Sequence, residues 1–217
     1  MSRRIIFPTL PGYFVGCCLA MSCVVVLGQQ PANSDLALQD FFDRAQLGDE
    51  WNFVTGDWKI VDEALIGHEL KQDNHAAVIR RPVATGNAVY EFKFLLSKNC
   101  KAFHFGFDPA KGQSKKKGHL FSVIITPDQW RIVKHMDKNK PSESPNETLA
   151  EQKTPFKPGT WYTLRVTTWG PFVNAKIGNR AALKAVHPSF AVTKPALIFR
   201  CVGESVAIDD VEVWTQR

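Results

Sequence analysis

The chain has 217 residues, 44% of them hydrophobic and 22% charged, with a formal net charge of +6. That is ample for one well-buried core. Apart from Lys115-Lys116-Lys117 the basic residues alternate with acidic ones, which excludes a nucleic-acid footprint.

Taken from the N-terminus, Arg3 and Arg4 form a positive head, and Ile5 to Leu27 is apolar apart from small residues, Thr9 and Ser22. Val26-Leu27-Gly28 then offers compact residues before Gln29. The pattern predicts a secretory signal over residues 1–28, cut near Gly28, and so a secreted, periplasmic or cell-envelope location with no membrane contact after cleavage. An uncleaved anchor is the rival reading, because the run is long enough to approach a bilayer span; a lipid-modified Cys17 or Cys23 is a third. Cleavage removes two of the 27 basic residues and none of the 21 acidic ones, so the remaining charge is mild. Residues 29–36 are expected as a linker and 37–217 as one β-sandwich domain.

Strand signals recur from there, rich in Val, Ile, Phe, Thr and Trp and separated by Gly, Pro, Asn or Asp. Leu38–Phe42 comes first. Gly56–Val61 follows, turning at Asp62-Glu63 and returning through Ala64–Gly67. Further strands are predicted over Ala76–Arg81, Ala88–Leu96, Lys101–Phe107, Leu120–Thr126, Gln129–His135, Trp161–Trp169, Phe172–Ile177, Ala196–Val202 and Val206–Trp214. No helical apolar stripe longer than two turns is present after the leader. The polar excursion Lys138–Lys153 reads as a long surface loop, the stretch best suited to disorder, with a short helix near Ser144–Glu151. Its Asn146-Glu147-Thr148 sequon has meaning only in a eukaryotic secretory route. Thr126-Pro127-Asp128 and Gly170-Pro171 read as hairpin turns, and Gly178-Asn179 as a tight turn.

Period-two phasing assigns faces. Tyr90, Phe92 and Phe94 share one face, as do Phe103, Phe105 and Phe107, which leaves His104, Gly106 and Asp108 on the other. Tyr162, Leu164 and Val166 point inward, Thr163 and Arg165 outward. In the last strand Val206 and Ile208 are out of phase with Val211 and Val213, so a β-bulge is expected at Asp209-Asp210. Cys100 and Cys201 are the two cysteines left after cleavage. If their strands are neighbours, a disulfide would close a loop of about 100 residues, worth up to roughly 4.7 kcal/mol; two buried free thiols are the equal alternative. No metal-ligand spacing accompanies them.

These residues resemble the concanavalin A-like jelly-roll superfamily, and more narrowly the 3-keto-disaccharide hydrolase-like domains of exported bacterial proteins, which are related to laminarinase-type folds. The phrases that carry it are DFFDRAQLGDEWNFVTGDWKIVDEALIG (Asp40–Gly67), KPGTWYTLRVTTWG (Lys157–Gly170), Ile177-Gly178-Asn179-Arg180 and ESVAIDDVEVW (Glu204–Trp214). The resemblance implies an all-β sandwich of two antiparallel sheets, carbohydrate as the partner on its concave sheet, and either glycan binding alone or cleavage of a 3-keto-glycoside-type bond. The E-x-D-x-x-E cluster of laminarinase-type enzymes is absent. Asp108 is the one carboxylate that falls on the outward phase of a central strand, where a glycosidase uses two.

The candidate residues follow from phase and loops. His104, Asp108 and His119 form the catalytic or hydroxyl-binding patch, able to hydrogen-bond a sugar or to activate water as a general base; the alternative is a solvated sheet face. Trp130, as an exposed indole, would stack on a pyranose, or else pack in the core. Arg131 follows it, and Arg200 lies on the outward phase and faces His104 if their strands are adjacent. His75 closes a polar loop at a strand entrance. Lys115-Lys116-Lys117 reads as a solvated loop or a polyanion contact. No cofactor is expected; Asp209 and Asp210 offer only two adjacent ligands to Ca²⁺. The oligomeric state is not legible.

Overall fold

The computed structural model describes residues 31–216; the expected leader lies outside the described residues. Among them there is no α-helix, only two 3₁₀ turns at Lys71–Asp73 and Pro188–Phe190. In chain order the strands are β1 (Ser34–Asp40), β2 (Asn52–Thr55), β3 (Asp57–Val61), β4 (Ala64–His68) and β5 (Ala77–Thr85). They continue with β6 (Ala88–Leu96), β7 (Cys100–Phe107), β8 (Phe121–Ile125), β9 (Gln129–Lys134) and β10 (Glu147–Lys153). The last five are β11 (Trp161–Trp169), β12 (Phe172–Ile177), β13 (Leu183–Val186), β14 (Lys194–Gly203) and β15 (Val206–Gln216).

They form two antiparallel sheets. The first is eight-stranded, in the order β13-β12-β11-β6-β15-β4-β3, with β1 on the C-terminal half of β15. The second is seven-stranded, in the order β10-β9-β8-β7-β14-β5-β2. The chain is thus an all-β jelly-roll sandwich, as expected. The core lies where the aromatic phases of the two sheets meet. Phe92 of β6 packs against Phe105 of β7 and Phe199 of β14, ring centroids 4.9 Å apart in each pair. Tyr90 packs on Phe107 at the same distance, and Phe107 passes the contact on to Phe121 and Phe190. These Phe rings are at most 1% exposed, and burying each is worth about 1.5–3 kcal/mol. The inward direction of Phe103, Phe105 and Phe107 fixes which residues of β7 face solvent.

The segment after β1 is tied down by Asp40. Its carboxylate accepts from Trp51 Nε1 at 2.7 Å, from the Arg44 guanidinium at 2.6 and 2.9 Å, and from the Phe42 amide. Gly67 on β4 lies directly under the Trp58 ring of β3, where any Cβ would overlap the indole. The bulge in β15 falls between Asp209 and Glu212, with Asp210 in the left-handed region, and it returns Val211 and Val213 to the core.

Several expectations are corrected. Strand β1 occupies Ser34–Asp40, beginning within the stretch expected as linker and ahead of the expected Leu38–Phe42. The excursion Lys138–Lys153 is neither disordered throughout nor helical: Glu147–Lys153 is the edge strand β10, paired from Glu147–Lys134 to Lys153–Gln129. Ladder pairing with β9 overrides the helix propensity of a polar segment, and Leu149 and Ala150 add partial packing on the core. The short strands β2 and β13 were not expected at all. Cys100 and Cys201 lie on neighbouring strands, both buried as free thiols.

Candidate functional site

The outward residues of the seven-stranded sheet line up in rows. One row runs Glu151, Arg131, Ile124, His104, Arg200, Val78 across β10, β9, β8, β7, β14 and β5. The next runs Val133, Ser122, Gly106, Ile198, Arg80. Gly106 keeps the second row low. A Cβ there would sit 2.4 Å from Ser122 Oγ and 3.0 Å from the Phe121 carbonyl. Above these rows Asp108, which follows β7, meets His119, which precedes β8.

Asp108 is the hub. Its Oδ1 accepts a hydrogen bond from Nδ1 of His119, and its Oδ2 lies 3.3 Å from the Arg80 guanidinium. Burial works against its ionisation, but the bond and charge of His119, with Arg80 and Arg200, hold the carboxyl below its ordinary range. Side-chain exposure of 28% for Asp108 and 24% for His119 leaves both reachable from solvent. The His119 ring stands edge-on to His135, 5.6 Å between centroids, and His135 Nε2 pairs with Ser122 Oγ at 2.8 Å. Burial pushes the His135 pKa down to about 3, with His119, His104, Lys116 and Arg200 adding to the effect.

His104 occupies the centre of the sheet. Burial, then the charges of Arg200 and Arg131, push its pKa down to about 4, and its Nδ1 is buried with no hydrogen-bond partner. Arg200 stands directly opposite on β14, with His75 Nε2 3.4 Å from its guanidinium. His75 Nδ1 is 2.8 Å from the Ala76 carbonyl, to which it donates. The Arg131 side chain has neither a hydrogen bond nor an ion pair with any described residue, and its Nε is buried. The loops at one end of the sheet build a hollow of about 400 Å³ lined by Arg80, Asp108, Lys116, Lys117, His119 and Lys138, among others. Lys116 is half-buried there and donates to the carbonyls of His135 and Leu120; burial lowers its pKa to about 8.

The structure therefore brings His104, Asp108, His119, Arg131, Arg200 and His75 to one face. Trp130 is the exception. It is 0% exposed, in phase with Ile132, and its Nε1 donates to Gln152 at 2.9 Å, so it presents no ring to a ligand. Sequence reasoning did not single out Arg80, Ser122 or His135. The outward phase of Arg80 between inward Ile79 and its neighbours was the available signal. Asp210 is engaged by Lys93 at 2.5 Å, and Asp209 accepts from the Asp210 amide, so the bulge uses both carboxylates itself. Among the described residues no three His, Cys, Asp or Glu are grouped to hold a metal ion. A second hollow, about 270 Å³, surrounds Lys194, whose ammonium donates to the carbonyls of Gly86, Phe190 and Val192 and so has no donor to spare.

No protein-family model and no curated protein matches the sequence. Solved structures do. The chain is similar to a carbohydrate-binding module (CBM66) from Bacillus subtilis, with a TM-score of 0.58 and 18% identity, covering 75% of this chain and 93% of that one. It is similar to the laminarinase from Rhodothermus marinus, with a TM-score of 0.64 and 10% identity over 84% of this chain and 97% of that one. It is also similar to SCLam, a non-specific endo-β-1,3(4)-glucanase from family GH16, with a TM-score of 0.65 and 9% identity over 86% and 93%. At these identities the likeness is one of fold. The expected jelly roll is the architecture of these proteins, while the narrower 3-keto-disaccharide hydrolase-like resemblance has no matching family model.

Proposed function

We propose that this chain is an exported carbohydrate-binding sandwich whose ligand lies on the outer face of the seven-stranded sheet, across His104, Arg200 and the Asp108–His119 pair. The observation that carries the reading is a row of half-buried polar donors, Arg131, His104 and Arg200, on a sheet face that also holds the Asp108 carboxylate. Sugar hydroxyls ask for such a surface: fixed donors and acceptors on a rigid, half-desolvated floor. The solved structures of like fold, a carbohydrate-binding module among them, support it, and the signal pattern over residues 1–28 supports export.

The same geometry argues against a carboxylate-pair glycosidase. That mechanism needs two carboxyl groups about 5–9.5 Å apart. The other carboxylate in the outward rows, Glu151, is three strand spacings from β7, roughly 14 Å at the usual inter-strand distance. One observation favours cleavage of a different kind. His119 is oriented by Asp108, which leaves its Nε2 as a single general base. A 3-keto-glycoside needs no more than that. A base removes the acidified C2 proton, the C1–O bond breaks with protonation of the departing alkoxide, and water adds back across the C1–C2 double bond.

A glycan array probed with the chain lacking residues 1–28, followed by a reducing-sugar assay on each hit, tests both readings. Binding without turnover, lost in His104→Ala, is the expected result. Turnover of a 3-keto-glycoside, with exchange of its C2 proton into deuterated water, both lost in His119→Ala, would instead favour the elimination. An absence of any glycan binding would remove the proposal.

A further inference from the structure

The outward rows hold more cationic donors than their own carboxylates occupy. Asp108 is taken by His119 and Arg80. Glu151 stands opposite Arg131 in the β9–β10 register yet makes no ion pair with it. The Arg131 side chain consequently has no partner among the described residues, and Arg200 has the His75 ring at 3.4 Å and a longer-range attraction to Asp108, a carboxylate already shared by His119 and Arg80. Between them on the same row sits His104, with a buried, unpartnered Nδ1, and the Nε atoms of Arg131 and Arg200 are also buried without partners. A guanidinium is donor-only, and a buried donor left unpaired is costly. A face built this way is complementary to a group that only accepts.

Resting on the carbohydrate reading above, we propose that the saccharide bound here carries an oxyanion, a uronate carboxylate or a sulfate ester, held between the guanidinium groups of Arg131 and Arg200 over His104. A neutral hydroxyl donates as well as accepts and would leave part of this donor set unfilled; a carboxylate or sulfate accepts from both guanidiniums in charge-assisted bonds. Burial is the main reason that His104 resists protonation, and the charges of Arg200 and Arg131 add to it. The rim is cationic too, since Lys116, Lys117 and Lys138 line the hollow beyond Asp108. Cationic groups therefore lie on both sides of Asp108, the guanidiniums on the sheet and the lysines at its rim.

The test is calorimetry on the chain lacking residues 1–28 with three probes: oligogalacturonate, a sulfated galactan oligosaccharide, and neutral laminari-oligosaccharides. Binding of one or both charged probes is expected, weakening as sodium chloride is raised. Arg131→Gln and Arg200→Gln should each lower the affinity by about tenfold or more, the loss of a charge-assisted hydrogen bond. Thermal melts check the fold, and Arg131→Gln alone suffices if Arg200→Gln does not fold. The two charged probes separate carboxylate from sulfate as the source of the anion. Neutral oligosaccharides bound as tightly as charged ones, and unaffected by Arg131→Gln, would overturn this inference while leaving the carbohydrate reading intact. Inorganic sulfate bound as tightly as any sugar would reduce the cradle to a contact for free anions and overturn it too. If no saccharide binds at all, both readings fall.

Discussion

His119 and Asp108 meet through Nδ1 and Oδ1 across the β7–β8 connection, and Arg80 takes the other carboxylate oxygen. The carboxylate accepts from Nδ1 and thereby favours the Nδ1–H tautomer, which leaves Nε2 as the ring's free base. Asp108→Asn keeps the shape and removes the charge. Nitrogen-detected imidazole spectra should show one tautomer of His119 in the native chain and a mixture in the variant. Ligand affinity should fall about tenfold with it, on the scale of one charge-assisted bond. An unchanged tautomer would mean that packing, not Asp108, orients the ring.

His104 and His135 make the fold acid-sensitive. Their folded pKa values, about 4 and about 3, lie below the ordinary imidazole value, so between that value and about 4 the unfolded chain binds more protons than the native one. Stability is then fully present above about pH 6.5 and drains away as pH falls toward 4. Urea midpoints measured across that window should drop by an amount equivalent to about 3 kcal/mol per histidine, and His104→Gln should flatten the slope. A flat profile in the native chain would contradict the burial of both rings.

Asp209 in the β15 bulge behaves oppositely. Burial first, and then the adjacent Asp210 and Asp43, raise its pKa to about 6. The native state is therefore the one that holds the proton, and stability falls as pH rises from about 4 through about 6. Asp209→Asn keeps the acceptor for the Asp210 amide and removes the charge. At pH 8 it should stabilise the chain by about 1 kcal/mol, allowing for solvent screening. Below about pH 4 the two chains should melt together.

What was legible in the sequence was whatever alternation wrote down. Three phenylalanines at 103, 105 and 107 set the face of β7, and the phase slip at Asp209-Asp210 announced the bulge, because each involves large apolar residues with one way to be buried. Strands β2, β10 and β13 carried no such signal. Their sequences NFVT, ETLAEQK and LKAV are short or polar, and what holds them is a neighbour's backbone, which periodicity does not record. The site was half-legible for the same reason. Phase placed His104 and Asp108 on one face, but the Arg200–His104 juxtaposition needed the β7–β14 pairing, and Trp130 was assigned by residue type when its phase with Ile132 already turned it inward. His135 and Arg80 reach the site from other strands, a relation that only the topology supplies.

Cys100 and Cys201 offer a test of the oxidising compartment expected from the leader. The two thiols are buried on adjacent strands, and each shifts the other's ionisation, which places them close to one another. In the chain lacking residues 1–28, which keeps these two of the five cysteines, oxidised glutathione should take two hydrogens from the thiols, leaving one disulfide and two reduced glutathiones. The bridged chain should resist urea better by up to about 4.7 kcal/mol, given the loop of about 100 residues it closes. Thiol titration of the denatured protein reads the outcome. Two thiols still free after oxidation, with no mixed disulfide, would show that the geometry does not allow the bond.

Gly106 and Ser122 supply the sharpest test of how the ligand floor is built. They face each other across β7 and β8, and the Ser122 hydroxyl that pairs with His135 lies where a Cβ on residue 106 would go. Gly106→Ala should therefore destabilise the chain by about 1–3 kcal/mol, the usual cost of overpacking. Ser122→Ala alone should cost about 1 kcal/mol by leaving His135 Nε2 unpaired. In the double variant the hydroxyl is gone and the new methyl meets mainly the Phe121 carbonyl, so the combined loss should be smaller than the two single losses added together. Additive losses in urea melts would mean that the hydroxyl moves aside freely, and that the Ser122–His135 contact is not what demands a glycine at the centre of this face.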